Sequence, residues 1–250
     1  MKQMPAVIKV DKLTKIFDRD VTAVNHISFS VEENEIFGLL GSNGSGKSTT
    51  LRMIATVLDP TDGEISYRDA DGDKNIVRNM IGYIPQQDLL YEDLSVIDNL
   101  RLFSCSYRFS YQEREERIKE LLQRLELKKY RNYCVADLSG GYKKRLSIAI
   151  GIFHYPKIII ADEITIGLDP DLRRKIWDLL LDLKKNASII FTTHYLEEAE
   201  KLCDRIALMD LGKIAVKGEP KKIIAENHCH NLEEVFYKLV TNKNKGGQWK

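Results

Sequence analysis

The sequence predicts an α/β fold with a parallel sheet at its core, an N-terminal antiparallel β unit and an inserted α-helical lobe. Three observations carry that reading. After Pro156, short apolar runs alternate with segments of helical period, the pattern of strands covered by helices on both faces. A glycine-rich stretch, Gly41-Ser42-Asn43-Gly44-Ser45-Gly46-Lys47-Ser48-Thr49, joins an apolar run to a helical one. Residues 88–155 are mostly of helical period and lie between the two strand-bearing parts.

Taken in order, Ala6-Val7-Ile8-Lys9-Val10 and Ile27-Ser28-Phe29-Ser30-Val31 partly alternate apolar and polar residues and read as antiparallel strands. Asn34 stands at a turn, where Asn enters left-handed backbone more readily than other non-glycine residues. Glu35-Ile36-Phe37-Gly38-Leu39-Leu40 reads as a buried strand, and Leu51, Ile54, Ala55 and Leu58 continue from Ser48 with helical spacing. Glu64-Ile65-Ser66-Tyr67 follows the turn Pro60-Thr61-Asp62-Gly63 and joins the antiparallel unit, while residues 69–73 read as a hairpin or solvated loop. Within the helical lobe, Ile118, Leu121, Leu122 and Leu125 share one face of a helix over 113–127, with Glu113–Arg117 and Glu115–Lys119 as candidate i,i+4 pairs. A helix is expected from Tyr142 to Phe153. Strands Ile158–Ala161, Ser188–Phe191 and Ile206–Met209 then alternate with helices over 172–183 and 195–202, and residues 241–250 read as a polar tail.

At 250 residues and 43% hydrophobic, the chain can bury one sizeable core. Its 38 Lys and Arg balance 37 Asp and Glu, leaving a formal charge of +1 and no basic footprint, so nucleic acid is not an expected partner. No apolar run reaches the roughly 18 residues of a transmembrane helix, and Met1-Lys2-Gln3-Met4-Pro5 lacks the apolar core of a signal peptide. A cytosolic chain is therefore the expectation. Four cysteines without a C-x-x-C pair suit a reducing compartment. His228-Cys229-His230 reads as a surface turn, since adjacent side chains diverge and no second pair completes four metal ligands.

The glycine stretch fits G-x-x-x-x-G-K-[ST], a phosphate-binding loop. Its glycines let backbone N–H groups converge on phosphate oxygens, and the helix that follows directs its positive end there. Lys47 is placed to meet the β- and γ-phosphates and Ser48 to ligate Mg²⁺. The strand ending in Asp162-Glu163 sets two carboxylates at the C-terminal edge of the sheet, where nucleotide sites form. The first suits Mg²⁺, the second a water nucleophile. Leu138-Ser139-Gly140-Gly141 opens a helix whose unsatisfied N–H groups attract anions, although Ser139 is also a favoured N-cap.

On these motifs the chain, from about residue 6 to 240, resembles the nucleotide-binding subunit of an ABC transporter, a P-loop NTPase. The resemblance implies ATP as substrate and Mg²⁺ as cofactor. It makes Gln86, after Pro85, the Q-loop glutamine in place of the neighbouring Gln87, and Leu138–Tyr142 the signature. Asp162 then supports Mg²⁺ together with Ser48 and Gln86, Glu163 polarises the attacking water, Asp169 lies in the D-loop and His194 is the switch histidine. Phe17 stands against adenine, with Val24 as a further base contact. Gly41 to Thr49 and Ser139, Gly140 and Gly141 bind the nucleotide, the latter three from a second subunit facing head to tail. Also implied are a separate integral-membrane permease, a peripheral place on the cytoplasmic side of the membrane and, from the lead-in Phe37–Leu40 and the closing Asn231–Phe236, an exporter of the drug, antibiotic or lipid type.

Four positions depart from the family pattern: Asn34 for a turn glycine, Ile164 for a proline, Ile166 for a small residue and Tyr142 for the signature glutamine. The competing class, a soluble ABC-type ATPase acting on a cytosolic macromolecule, ordinarily carries tandem domains or a basic face. A GTPase would need N-K-x-D, which Asn242-Lys243-Asn244-Lys245 does not complete.

Overall fold

The structure, a computed structural model, describes residues 5–70 and 72–243. β1 (Ala6–Phe17) and β2 (Val21–Glu32) pair antiparallel; the chain enters the central sheet as β3 (Ile36–Gly41), passes through the glycine loop into α1 (Lys47–Ile54), and returns as β4 (Asp62–Tyr67) on the far edge of β1. The two long strands outrun their apolar stretches because bulges, with Lys12 and His26 at positive φ, re-register the pairing and bring Leu13, Val24 and Ile27 back to the buried face.

α2 (Lys74–Met80) and β5 (Ile81–Ile84) lead into the helical block, α3 (Val96–Ser104), α4 (Tyr111–Arg124) and α5 (Gly140–Gly151). The remainder alternates as expected: β6 (Ile158–Asp162), α6 (Pro170–Leu183), β7 (Ser188–Thr193), α7 (Leu196–Leu202) and β8 (Arg205–Asp210), then β9 (Lys213–Gly218), α8 (Pro220–Glu226) and α9 (Leu232–Lys243). α9 covers the first three residues of the expected tail, and the rest of that tail lies outside the described residues. No described helix is long and apolar enough to cross a membrane.

The central sheet runs β5-β6-β7-β3-β8-β9, parallel except for the β8–β9 edge. Period-two side-chain alternation serves both faces. Ile159, Ala161, Ile189 and Phe191 pack into the core shared with the helical block, while Ile158, Ile160 and Ile190 face the core beneath the antiparallel sheet. Phe29 of β2 stacks on Phe37 of β3 with centroids 5.0 Å apart, fastening the two sheets together.

Two local expectations give way. The i,i+4 pairs of α4 do not form: Glu113 closes a capping box with Ser110, Glu115 grips Arg101 of α3 through two hydrogen bonds of 2.9 Å, and Arg117 turns inward to the carbonyls of Ile152 and Phe153. α5 begins at Gly140, two residues earlier than its apolar spacing implies, because both signature glycines adopt helical backbone.

Strand order decides where the chemistry gathers. β7 lies between β6 and β3, so the segments leaving the C-terminal ends of these three neighbours emerge side by side.

Candidate functional site

The loop after β3 wraps around its own lysine. Lys47 is 4% exposed, and its Nζ donates to Gly41 O at 2.8 Å and Ser42 O at 3.1 Å. Gly46 has φ 104°, and a Cβ there would stand 2.4 Å from Ala23 O, so neither the turn nor its seat on β2 accepts a side chain. Ser45 Oγ is buried beside Gly41 and, among the described residues, has no hydrogen-bond partner. Ser42, Asn43 and Gly44 are exposed on the lip of the loop, with Ser48 and Thr49 half-buried behind it on α1.

From β6 come two carboxylates in different settings. Asp162 accepts from Thr192 Oγ1 at 2.7 Å on one oxygen, and Tyr83 OH lies 3.5 Å from the other. Burial, with the Asp162 charge beside it, pushes the Tyr83 phenol up to about 12, so it stays protonated. Glu163 adopts φ 49°, a left-handed conformation that a non-glycine residue holds only when its surroundings require it. Here they do: the Glu163 N–H donates to Thr192 Oγ1 at 2.9 Å and Thr192 O at 3.1 Å. The turn aims the carboxylate between a lysine and a histidine. Glu163 Oε1 is 3.6 Å from Lys47 Nζ, and Oε2 is 3.8 Å from His194 Nδ1 at the end of β7.

Lys47, Asp162, Glu163 and His194, read from separate motifs, therefore meet at one sheet edge. Gln86 lies exposed just beyond β5 with its carbonyl accepting from Lys144 at 2.9 Å. Phe17, 43% exposed, closes β1 with Lys15 Nζ 5.5 Å from its ring centre. Val24 is fully buried and backs the loop beneath Gly46 instead of opening to the surface. Asp169 caps α6, accepting from Leu172 N at 2.9 Å. Ile164 is wholly buried, an apolar substitute that anchors the loop by packing. Ser139, Gly140 and Gly141 form the first turn of α5; among the described residues no hydrogen bond joins that turn to the phosphate loop.

Three participants escaped the sequence reading. Thr192 shapes both carboxylates and was discoverable as the residue directly paired with Asp162 between β6 and β7. Tyr83 sits two residues before Pro85. Lys144, 5% exposed, reaches from α5 to the segment after β5, donating to the carbonyls of Pro85 at 3.3 Å and Gln86 at 2.9 Å and pairing with the Asp88 carboxylate at 2.7 Å.

The family model described as ABC transporter matches residues 24–166. The Nod factor export ATP-binding protein I of Rhizobium johnstonii is 39% identical over 235 residues, covering 93% of this chain and 75% of that protein. A solved ATP-binding subunit of an ABC transporter superimposes with a TM-score of 0.84 at 31% identity, covering 94% of this chain and 99% of that one. A dimeric ATP-binding cassette in a post-hydrolysis state, bound to ADP and Pi, gives a TM-score of 0.77 at 29% identity, covering 85% and 98%. The chain spans from 9% to 78% of the length of the curated relatives it matches. With a phosphate loop, a buried carboxylate pair and a strand-end histidine meeting on this sheet, the chain belongs to the ABC transporter ATP-binding family, whose members hydrolyse ATP.

Proposed function

We propose that this chain is the ATP-hydrolysing motor subunit of an export-type ABC transporter, closing head to tail on ATP and driving a separate integral-membrane permease from the cytoplasmic side. The observation that carries the reading is the position of Glu163, its carboxylate held between Lys47 and His194 by a strained turn. Export is supported by the similarity to a Nod factor export protein, and pairing by the dimeric state of a similar cassette bound to ADP and Pi.

The residues divide the work. Loop N–H groups and Lys47 hold the phosphates, the ammonium exchanging two carbonyl acceptors and a carboxylate for phosphate oxygens. Ser48, Gln86 and Asp162 offer only oxygen donors, the set that suits Mg²⁺, and Thr192 orients the Asp162 carboxylate in advance. Mg²⁺ held by these residues would supply charge neutralisation on the nucleotide phosphates. Glu163 accepts a proton from the attacking water, while His194 sets the carboxylate and faces the γ-phosphate. Phe17 offers its exposed ring to adenine. The signature turn of one subunit meets the phosphates held by the other, and Asp169 lies in the loop between them.

Toward the permease, Leu89 and Tyr91 are 70% and 55% exposed beside Glu92 and Asp93, while buried Asn99 fixes their backbone through Tyr91 N, Tyr91 O and Leu94 O. A rigid apolar rim follows Gln86 directly.

Glu163→Gln is expected to keep ATP binding and lower turnover at least about 100-fold, read by nucleotide titration and phosphate release. Unchanged turnover would remove Glu163 from the chemistry. Replacing the exposed Leu89 and Tyr91 with serine is expected to leave ATP binding intact while releasing the permease in detergent pull-downs; loss of melting temperature and ATP binding together would assign the segment to the core instead.

A further inference from the structure

Glu198 of α7 is 1% exposed, and the chemistry above does not use it. A buried carboxylate costs several kcal/mol unless hydrogen bonds and a counter-charge replace water. Here Oε2 accepts from Thr165 Oγ1 at 2.8 Å and from Thr193 Oγ1 at 2.7 Å, and Oε1 lies 3.5 Å from Arg173 Nε. The three partners come from different parts of the chain. Thr165 is two residues past Glu163, Thr193 immediately precedes His194, and Arg173 belongs to α6.

The same groups hold the histidine. The Thr193 hydroxyl accepts from Tyr195 N at 3.0 Å, the Arg173 guanidinium lies 4.8 Å from the Tyr195 ring centre, and that ring lies 4.1 Å from the His194 ring. Arg173 also reaches Leu168 O at 3.5 Å, in the loop beyond Glu163. Among the described residues the His194 ring makes no hydrogen bond; besides its 3.8 Å approach to Glu163, its orientation rests on the face of Tyr195.

We infer that Glu198 is a positioning residue, a buried latch that hydrogen-bonds the loop behind Glu163 and the strand end before His194 through one oxygen and holds Arg173 of the Arg173–Tyr195–His194 stack as an ion pair with the other. Its consequence is registry: the two segments that carry Glu163 and His194 are held by one carboxylate and move together. The inference rests on the proposed roles of Glu163 and His194.

The test uses histidine ring resonances of the full chain without nucleotide, with the His194 signal assigned by His194→Ala. His154, stacked on Tyr107 with centroids 4.1 Å apart, provides an internal control for folding. Glu198→Gln is expected to move the His194 signal toward its free-histidine position, leave His154 in place, keep the ATP dissociation constant within about twofold and lower saturated turnover about tenfold. Arg173→Gln should do the same, and the double variant should be no worse than either alone. An unmoved His194 signal, or additive losses, overturns the latch. Should Glu198→Gln displace the His154 signal and so fail to fold, Tyr195→Ala decides: it leaves the buried carboxylate untouched and must shift the His194 signal and lower turnover, and an unshifted signal rejects the stack. Full turnover in His194→Ala would refute the functional reading, while the ring signals would still judge the latch.

Discussion

At the start of α1 the glycine loop closes on its own chain: Lys47 is buried against two carbonyls and Glu163, and Gly46 lies against the backbone of β2. At the start of α5 the backbone faces outward. Ser139 and Gly140 are exposed, Ser139 makes no side-chain cap bond, and a Cβ on Gly140 would meet nothing within 4 Å. Both are helix N-termini bearing glycines, with the same appetite for anions. Only the first is supplied with a lysine, a carboxylate pair and a histidine. One helix start is thus enclosed by side chains of its own chain and the other is an open donor surface, the surface that the proposed head-to-tail pairing would use.

The open end is nevertheless firmly mounted. Tyr142, in the place of the usual glutamine, packs on Tyr130 with centroids 4.2 Å apart and lies 5.2 Å from the Arg145 guanidinium. Gly82 and Gly151 let β5 and α5 touch, since a Cβ on Gly82 would stand 2.1 Å from Gly151 O. Lys144 adds its grip on the Gln86 segment, so the signature helix is fastened to the strand that leads into the Q-loop.

Breaking each half separately should give unlike results. Lys47→Ala is expected to weaken ATP binding by about 100-fold, through loss of charge-assisted hydrogen bonds to the phosphates. Ser139→Arg, at an exposed position, should leave nucleotide titration of the monomer within about twofold of the parent while reducing turnover about 100-fold or more. Equal loss of binding in both variants would dissolve the distinction between the two ends.

A smaller effect concerns the anchor of α5. His154, just past that helix, has Nε2 3.1 Å from Ile81 O and a buried Nδ1 without a hydrogen-bond partner. Burial depresses its pKa to about 4, so the folded state prefers the neutral ring. The unfolded chain therefore binds the extra proton first, and this contribution to stability is complete above about pH 6.5 and lost as pH falls toward 4. Melting temperatures of His154→Gln should decline less steeply than those of the parent between these pH values. Parallel slopes would show that the ring does not govern this edge.

Much of this was legible before the structure, because the chemistry depends on local words: a glycine loop before a helix, two carboxylates at a strand end, and Ser-Gly-Gly opening a helix. The apolar strands of the parallel sheet were legible for a similar reason, being buried on both faces. What escaped was either short or non-local. α2 was hidden by the acidic, glycine-punctuated stretch before it, and the edge strand β9 carries Lys213 at its start and Lys217 near its close. Glu115 bonds Arg101 on another helix, and Glu198 collects hydroxyls from the end of β7 and from the loop after β6; no periodicity on the bearing helix announces these partners. Val24 was assigned to the base from its place in the family pattern, whereas the bulged β2 carries it under the loop.

Sharing of each ATP between a phosphate loop and a signature turn of different chains, as proposed, can be read by mixing the two variants. Lys47→Ala and Ser139→Arg are each expected to be nearly inactive alone. In a mixed dimer, the intact loop of the Ser139→Arg chain meets the intact signature of the Lys47→Ala chain, restoring one complete site. ATP hydrolysis in an equimolar mixture is then expected to rise well above the mean of the separate variants, with a dimer visible by sizing in ATP and Mg²⁺. A mixture no more active than that mean, with each variant verified as folded, would contradict it.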